Sequence, residues 1–372
     1  MAIFSSSSGF SLKNIFSGFR KESGFLGIDI GSSSIKMVQL KREKERAILE
    51  TYGELSIAGY ANGDIGKSFT VVDTKLSDAL ADVVREAKVT VKSATVSIPL
   101  KNSFLTIMDM PRLSDQELKN AIPYEARKYV PIPLSEAMID WWVLPPMSTE
   151  SAETSIGSRK RDIVNVMLAA VPKEIVEKYE TILRRVGIAV SGFEIEVFSL
   201  ARSALKRDLG SILLIDFGAS SIRFVIADGG SVRAAHNVER GSQEMSLALE
   251  QSLGINFERA ELLKRDSGII HRPETEGIAS VLEPLVDFFA SEGERFLLDW
   301  KRRGGRPISK VVLGGGGSLL KGIVDVMIKR YGVEAEIANP FSKVVYPAFL
   351  EPSLTDIGAT FTNAIGLALK EF

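Results

Sequence analysis

The chain has 372 residues, 45% of them apolar and 25% charged, with a formal net charge of −1. This is the make-up of a soluble globular protein of more than one domain, with no bulk attraction to nucleic acid or anionic membranes. It contains no cysteine, which excludes structural disulfides, zinc-thiolate sites, Fe–S clusters and thiol nucleophiles together and fits a reducing compartment.

The two histidines, His236 and His271, lie too far apart in sequence to suggest a metal-ligand pair. No apolar run reaches the ~18–20 residues that span a bilayer. Residues 1–24 are rich in Ser, Gly and Phe, and Ser5 to Ser8 interrupt any signal-peptide core. Leu12, Ile15, Phe16 and Phe19 form a short helical stripe there, readable as an amphipathic element touching a membrane or partner, or as a disordered leader.

From Phe25 the pattern turns strand-rich, with strands predicted at 25–31, 35–42 and 45–57. A helix follows with Leu76, Ala79, Leu80, Val83, Val84 and Ala87 on one face and Asp73 or Thr74 as N-cap. Strands near 93–98 and 103–108 come next. A capping box from Ser114 to Glu117 then opens a helix that Pro123 should kink and Pro131 and Pro133 should end. Residues 145–161 read as a polar loop, followed by a strand at 162–171 and a helix from Pro172 to Val186 capped by Gly187.

The strand pattern restarts at Ser211. Helices are predicted near 241–253 and 256–266, and a long amphipathic one from Glu276 carries Ile278, Val281, Leu282, Leu285, Phe289, Phe296 and Trp300 inward. A strand at 310–314 runs into Gly314 to Gly317 and another helix, and a small-residue helix covers Asn363 to Leu369. Strands alternating with helices in both halves predict an α/β architecture.

The chain repeats itself. GIDIGSSSIKMVQ (27–39) aligns with LIDFGASSIRFVI (214–226) with 7 of 13 positions identical, and Lys36 is matched by Arg223. A third strand follows the hairpin in each copy, so the domain is read as duplicated. The turn residues suit phosphate binding. Gly31 and Gly218 are expected to adopt angles that let backbone N–H groups converge on a phosphate. The serines add donors, Asp29 and Asp216 can hold Mg²⁺ through water, and Lys36 can reach a phosphate oxygen. The run Gly314, Gly315, Gly316, Gly317 and Ser318 lets a nucleoside lie against bare backbone. On the predicted helix AELLKR, Glu261, Lys264 and Arg265 share one side.

These four segments, in this order, resemble the superfamily of actin, heat-shock chaperone and sugar-kinase ATPases. Asp29, Gly31, Ser32, Ser33 and Lys36 match its first phosphate motif. Asp216, Gly218, Ala219 and Ser220 match the second, with Ala219 in place of a frequent glycine. Gly314 to Gly317 match its adenosine motif, and Glu261, Lys264 and Arg265 fall where related proteins flank adenine. The resemblance implies a duplicated, actin-like (ribonuclease-H-like) two-lobed ATPase fold that binds ATP or ADP with Mg²⁺. It places Glu196 with Asp29 as the catalytic carboxylates, and Ala364 and Gly366 at the second crossing between lobes. A leader at 1–24, a first lobe at 25–92, an inserted α+β subdomain at 93–187 and a second lobe at 188–372 are expected, the C-terminal helix crossing back.

The insert narrows the branch. EARKYVPIP (125–133) followed by the acidic-aromatic IDWW (139–142) closely resembles the PilM family of type IV pilus assembly proteins, over about residues 25–372. That resemblance implies a cytoplasmic ATP-binding adaptor of pilus assembly, or of related type II secretion. It implies attachment at the inner membrane through the short cytoplasmic N-terminal tail of PilN, a bitopic membrane protein, with other assembly components as further expected partners. The tail would lie between the insert and the first lobe. Tyr129, Val130, Pro131, Ile132 and Pro133 are the candidate groove residues, core packing and helix termination being the other reading of them. With no evident arginine finger, hydrolysis is expected to be slow or absent. A filament-forming protein resembling FtsA or MreB, or a small-molecule kinase, are alternatives on the same fold. A dehydratase activator is excluded because it needs cysteines for its cluster.

Overall fold

The computed structural model describes residues 24–146, 163–206 and 210–372. The stripe in the leader and most of the 145–161 loop lie outside these. β1 (Gly24–Ile30), β2 (Ser34–Glu43) and β3 (Arg46–Ser56) are followed by α1 (Ala58–Ala61), α2 (Asp73–Glu86) and β4 (Ser93–Ile98). Next come β5 (Phe104–Pro111), α3 (Asp115–Ala126), β6 (Ala137–Val143), β7 (Ile163–Pro172), α4 (Lys173–Arg185), β8 (Ala189–Ile195) and α5 (Glu196–Ala204). The second half holds β9 (Ser211–Phe217), β10 (Ile222–Asp228), β11 (Ser231–Val238), α6 (Gln243–Leu253), α7 (Phe257–Ser267) and α8 (Glu276–Arg302). It closes with β12 (Lys310–Gly314), α9 (Ile323–Tyr331), β13 (Glu334–Ile337), α10 (Glu351–Ile357) and α11 (Thr362–Ala368).

Two five-stranded sheets share one plan. Their orders are β3-β2-β1-β4-β8 and β11-β10-β9-β12-β13. In each, three strands form an antiparallel meander and two more add in parallel to its first strand. The duplication seen in thirteen residues of sequence therefore extends through a whole sheet in each half. A separate three-stranded sheet, β5-β7-β6, makes the insert, with α3 packed on it through Leu118, Ile122 and Ala126. This sheet occupies 104–172. β4, which opens the 93–187 segment, and β8, which lies in the range expected for the second lobe (188–372), both belong to the first lobe's sheet.

α5 and α11 lie between the two sheets and cross close together. A Cβ on Gly366 would stand 1.9 Å from Ser199 O, and one on Gly27 would stand 2.2 Å from Ala364 O. Only glycine admits that contact of backbone with backbone. The C-terminal segment completes the first lobe: Phe341, Val344, Leu354, Phe361, Ala364 and Ile365 bury against Val38, Leu40, Ala47 and Leu49.

Several local expectations change. The N-cap of α2 is the extended Val72, with no side-chain cap, and Asp73 is already inside the first turn, where its charge suits the helix dipole. The α3 capping box forms in both directions, Ser114 N–H to Glu117 Oε2 at 2.8 Å and Glu117 N–H to Ser114 Oγ at 3.4 Å. Pro123 stays inside α3, and the helix stops at Ala126, well before Pro131. After β12 the chain makes a 3₁₀ turn, Gly316–Leu319, before α9 begins. Among the described residues, no helix is long and apolar enough to cross a membrane.

Candidate functional site

β1 and β9 each run through an aspartate into a tight turn, closed identically in the two copies. Gly31 N–H donates to Ser34 O and Gly218 N–H to Ser221 O, each at 3.0 Å. Neither glycine has a left-handed φ, contrary to the sequence expectation. Crowding bears on them instead: a Cβ on Gly218 would stand 2.8 Å from Ser221 O, which forces a shift, and one on Gly31 would make a tight 3.0 Å contact with Ser34 O. The antiparallel register then sets Asp29 opposite Lys36 and Asp216 opposite Arg223.

The turns face each other. Ser32 Oγ and Ser220 Oγ are hydrogen-bonded across the lobes at 2.9 Å, at a cleft of about 480 Å³. Asp29, Gly31, Ser32, Ser33, Lys36, Glu196, Asp216, Gly218, Ala219, Ser220, Glu261, Lys264, Arg265, Gly315, Gly316 and Gly317 all line it. Two candidates do not. Gly314 ends β12, packed towards Leu200 and Thr362. Ser318 is fully buried and donates to Gly315 O at 2.7 Å. Gly315 is where torsion does require glycine, with φ +78° and a would-be Cβ 2.3 Å from Asp216 Oδ1.

The base of the cleft is a buried charge cluster. Asp29 Oδ1 accepts from Ser97 Oγ at 2.7 Å. Glu196, the first residue of α5, accepts from Leu100 N–H through Oε1 at 2.7 Å and from Arg223 Nη1 through Oε2 at 2.7 Å. Arg223 Nη2 reaches Asp216 Oδ2 at 2.9 Å, and Asn363 Nδ2 donates to the same oxygen at 3.3 Å. Burial pushes the Asp29 carboxyl up, against the opposing pull of Lys36. Burial likewise pushes Glu196 up, against Arg223. For Arg223 burial disfavours the cation, but Asp216 and then Glu196 outweigh it and hold it charged.

Arg223 is a cleft residue that the motifs alone pass over; its equivalence to Lys36 in the repeat is the signal that points to it. An arginine does stand beside the second phosphate-type turn. Its presence also bears on Mg²⁺. Asp216 and Glu196 are committed to the guanidinium, and among the described residues no group of three or more His, Cys, Asp or Glu is arranged to hold a metal ion. Of the two carboxylates expected to hold that ion, Asp216 is already engaged by Arg223, and Asp29 accepts from Ser97.

On α7, the i, i+3, i+4 spacing brings its three candidates together as expected. Glu261 Oε2 accepts from Lys264 Nζ and from Ser246 Oγ, each at 2.6 Å, and Oε1 accepts from Arg265 Nε at 2.7 Å. Burial alone would raise Glu261, but its hydrogen-bonded cations, Lys264 first, outweigh it and hold the carboxyl low, while burial pushes the Lys264 ammonium down. A contact that the sequence did not announce joins the lobes here. The loop after α1 places Ser68 N–H 2.9 Å from Gln243 Oε1, and Gly66 stands against Glu261.

The sequence profile of one family, type IV pilus assembly protein PilM, matches residues 27–372. The chain belongs to the PilM family. Its structure is similar to a PilM–PilN type IV pilus biogenesis complex, at a TM-score of 0.77 and 23% identity, covering 94% of this chain and 99% of that one. It is also similar to the ethanolamine utilization protein EutJ of Carboxydothermus hydrogenoformans, at a TM-score of 0.54 and 14% identity, covering 96% and 93% of the two chains. The cell division protein FtsA of Streptococcus pneumoniae is 21% identical over 401 residues, covering 93% of this chain and 84% of that protein. The fold is thus the two-lobed actin-like one expected from the paired motifs.

In this PilM-family chain the insert candidates divide by burial. Val130 is buried and Ile132 packs against the insert core, while Tyr129, Pro131 and Pro133 are exposed. None of the five lines the cleft. The insert docks elsewhere by its other sheet elements: Trp142 meets Phe198 of α5 edge-on at 5.0 Å, and Arg233 of β11 donates to Pro145 O at 2.6 Å.

Proposed function

We propose that this chain is an ATP-binding adaptor of type IV pilus assembly, or of a related type II secretion system. It works at the cytoplasmic face of the inner membrane and captures the cytoplasmic N-terminal tail of a PilN-like protein. The observation that carries the nucleotide part is the meeting of the two glycine turns, Ser32 to Ser220 at 2.9 Å, with Gly315 to Gly317 on the same cleft. Two turns whose hydroxyls meet across the cleft are placed to grip a polyphosphate from both lobes, and the glycine turn leaves backbone bare for the nucleoside. Gly31, Ser32, Ser33 and Lys36 hold phosphate from the first lobe; Gly218, Ala219 and Ser220 hold it from the second. Glu261, Lys264 and Arg265 wall the nucleoside, and Asp29 orders water at the phosphates.

Turnover is slow or absent. Glu196 is the carboxylate that would activate water, and both its oxygens already accept hydrogen bonds, from Leu100 and Arg223. A base so engaged is poorly placed to draw a proton from water. The tail is recognised at the exposed Tyr129, Pro131 and Pro133, held out by the buried Val130 and the half-buried Ile132. Thermal melts with and without ATP, paired with capture of the synthetic PilN-like tail, test both halves. ATP should raise the melting temperature of the wild type and not of Asp29→Ala. Absence of any ATP shift removes the nucleotide role, and failure to capture the tail removes the adaptor role.

A further inference from the structure

The position equivalent to Lys36 in the second hairpin carries an arginine whose charge is spent inside the cleft. Arg223 is 12% exposed, and its two Nη groups reach carboxylates that are 7% and 3% exposed, Glu196 and Asp216. A Cβ on Gly218 would stand 2.8 Å from Arg223 Nη2, so the guanidinium lies directly against the second turn. Its Nε is buried and has no partner, an unusual state for a donor so strongly polar. Across the lobes, Lys36 brings a second cation to the same cleft, 3.2 Å from the half-exposed Glu54.

We propose that Arg223 is a resident cation standing where a divalent ion would otherwise be needed, so that this cleft takes the polyphosphate of a nucleotide without magnesium. The inference rests on the nucleotide reading above and concerns how that same site neutralises its ligand. A polyphosphate brought beside Asp29, Asp216 and Glu196 meets three carboxylates, and repulsion in a buried site is expensive. A hydrated Mg²⁺ is the common remedy. Here a fixed guanidinium bridges two of those carboxylates in advance and offsets one of their charges. Lys36, at the repeat-equivalent position, adds a further positive charge to the cleft. Because the fork is planar and held by two acids, it keeps its place before the ligand arrives. A dication entering the same space would face the guanidinium at close range.

The test is calorimetric titration of ATP into the full chain, in EDTA and in excess Mg²⁺. The wild type should bind ATP with affinities within about threefold in the two conditions. Arg223→Asn, which removes the cation and frees both carboxylates, should lose about tenfold or more in EDTA and recover with Mg²⁺. Should that variant not fold, Arg223→Lys keeps the charge and should still bind in EDTA. A wild type that loses tenfold or more in EDTA overturns the inference while leaving the nucleotide role intact. So does an Arg223→Asn protein that folds and binds as the wild type does in EDTA. Absence of ATP binding in both conditions overturns the nucleotide role and the inference together.

Discussion

The two hairpins are near copies in sequence and in backbone, yet their charges do different things. Both turns close with the same 3.0 Å bond, and both set an acid opposite a base. In the first, Lys36 turns away from Asp29, to Ser34 Oγ at 2.6 Å and to Glu54, and Asp29 is left to Ser97. In the second, Arg223 folds back on Asp216 and adds Glu196 from the helix that links the lobes. A flexible ammonium can leave a buried carboxylate for a wetter partner, whereas a guanidinium with two acids in reach of its fork stays. Duplicated local structure therefore does not ensure duplicated electrostatics: what surrounds each hairpin decides it.

The largest effect that can break this comparison comes from deleting the two bases. Arg223→Ala leaves Glu196 and Asp216 buried without their cation and should cost about 3–5 kcal/mol in urea unfolding. Lys36→Ala frees a half-exposed glutamate and should cost about 1 kcal/mol or less. Equal losses would mean that the hairpins are electrostatically equivalent after all.

An intermediate effect is expected at the turn glycines. Gly218→Ala drives a methyl against Ser221 O and Arg223 Nη2, both at 2.8 Å, whereas Gly31→Ala meets only Ser34 O at 3.0 Å. We expect Gly218→Ala to cost about 1–3 kcal/mol and Gly31→Ala visibly less, by the same denaturation. The reverse order would show that the guanidinium does not press on the second turn.

The smallest effect is in the pH dependence. Burial raises Asp29 above its ordinary range, so the folded chain holds a proton there that the unfolded chain releases. This group's contribution to stability is therefore greatest at low pH. It falls as pH rises from the unfolded carboxylate value through the raised folded one. Asp29→Asn keeps an acceptor for Ser97 and should be more stable than the wild type above that window. Asp216→Asn should instead be less stable at neutral pH, because it takes a partner from Arg223. Melting curves of the two variants across the acid range would sharpen or remove the contrast.

Much of the fold and site is readable in one dimension because the information is local. The repeat identifies Asp29, Gly31, Asp216 and Gly218 and the duplicated fold; the 3.6-residue period locates the helices; the capping box fixes the start of α3; and EARKYVPIP points to the PilM family. Spacing alone brings Glu261, Lys264 and Arg265 to one side of α7.

What the sequence could not decide depended on partners distant along the chain. Whether a basic residue turns inward is set by Glu196, which follows β8 and reaches Arg223 only through the packing of α5 between the sheets. The place of the turn glycines was legible, but the crowding around them was not, because the approach of a neighbouring carbonyl is a distance and not a pattern. Gly314 and Ser318 read as part of a glycine run, and tertiary packing turned one into strand core and the other into a buried turn bond. The sequence by itself determined that two phosphate-type turns exist. Only the closed tertiary structure decided that one of them carries its own buried cation, since desolvation and ion pairing are properties of the assembled cleft.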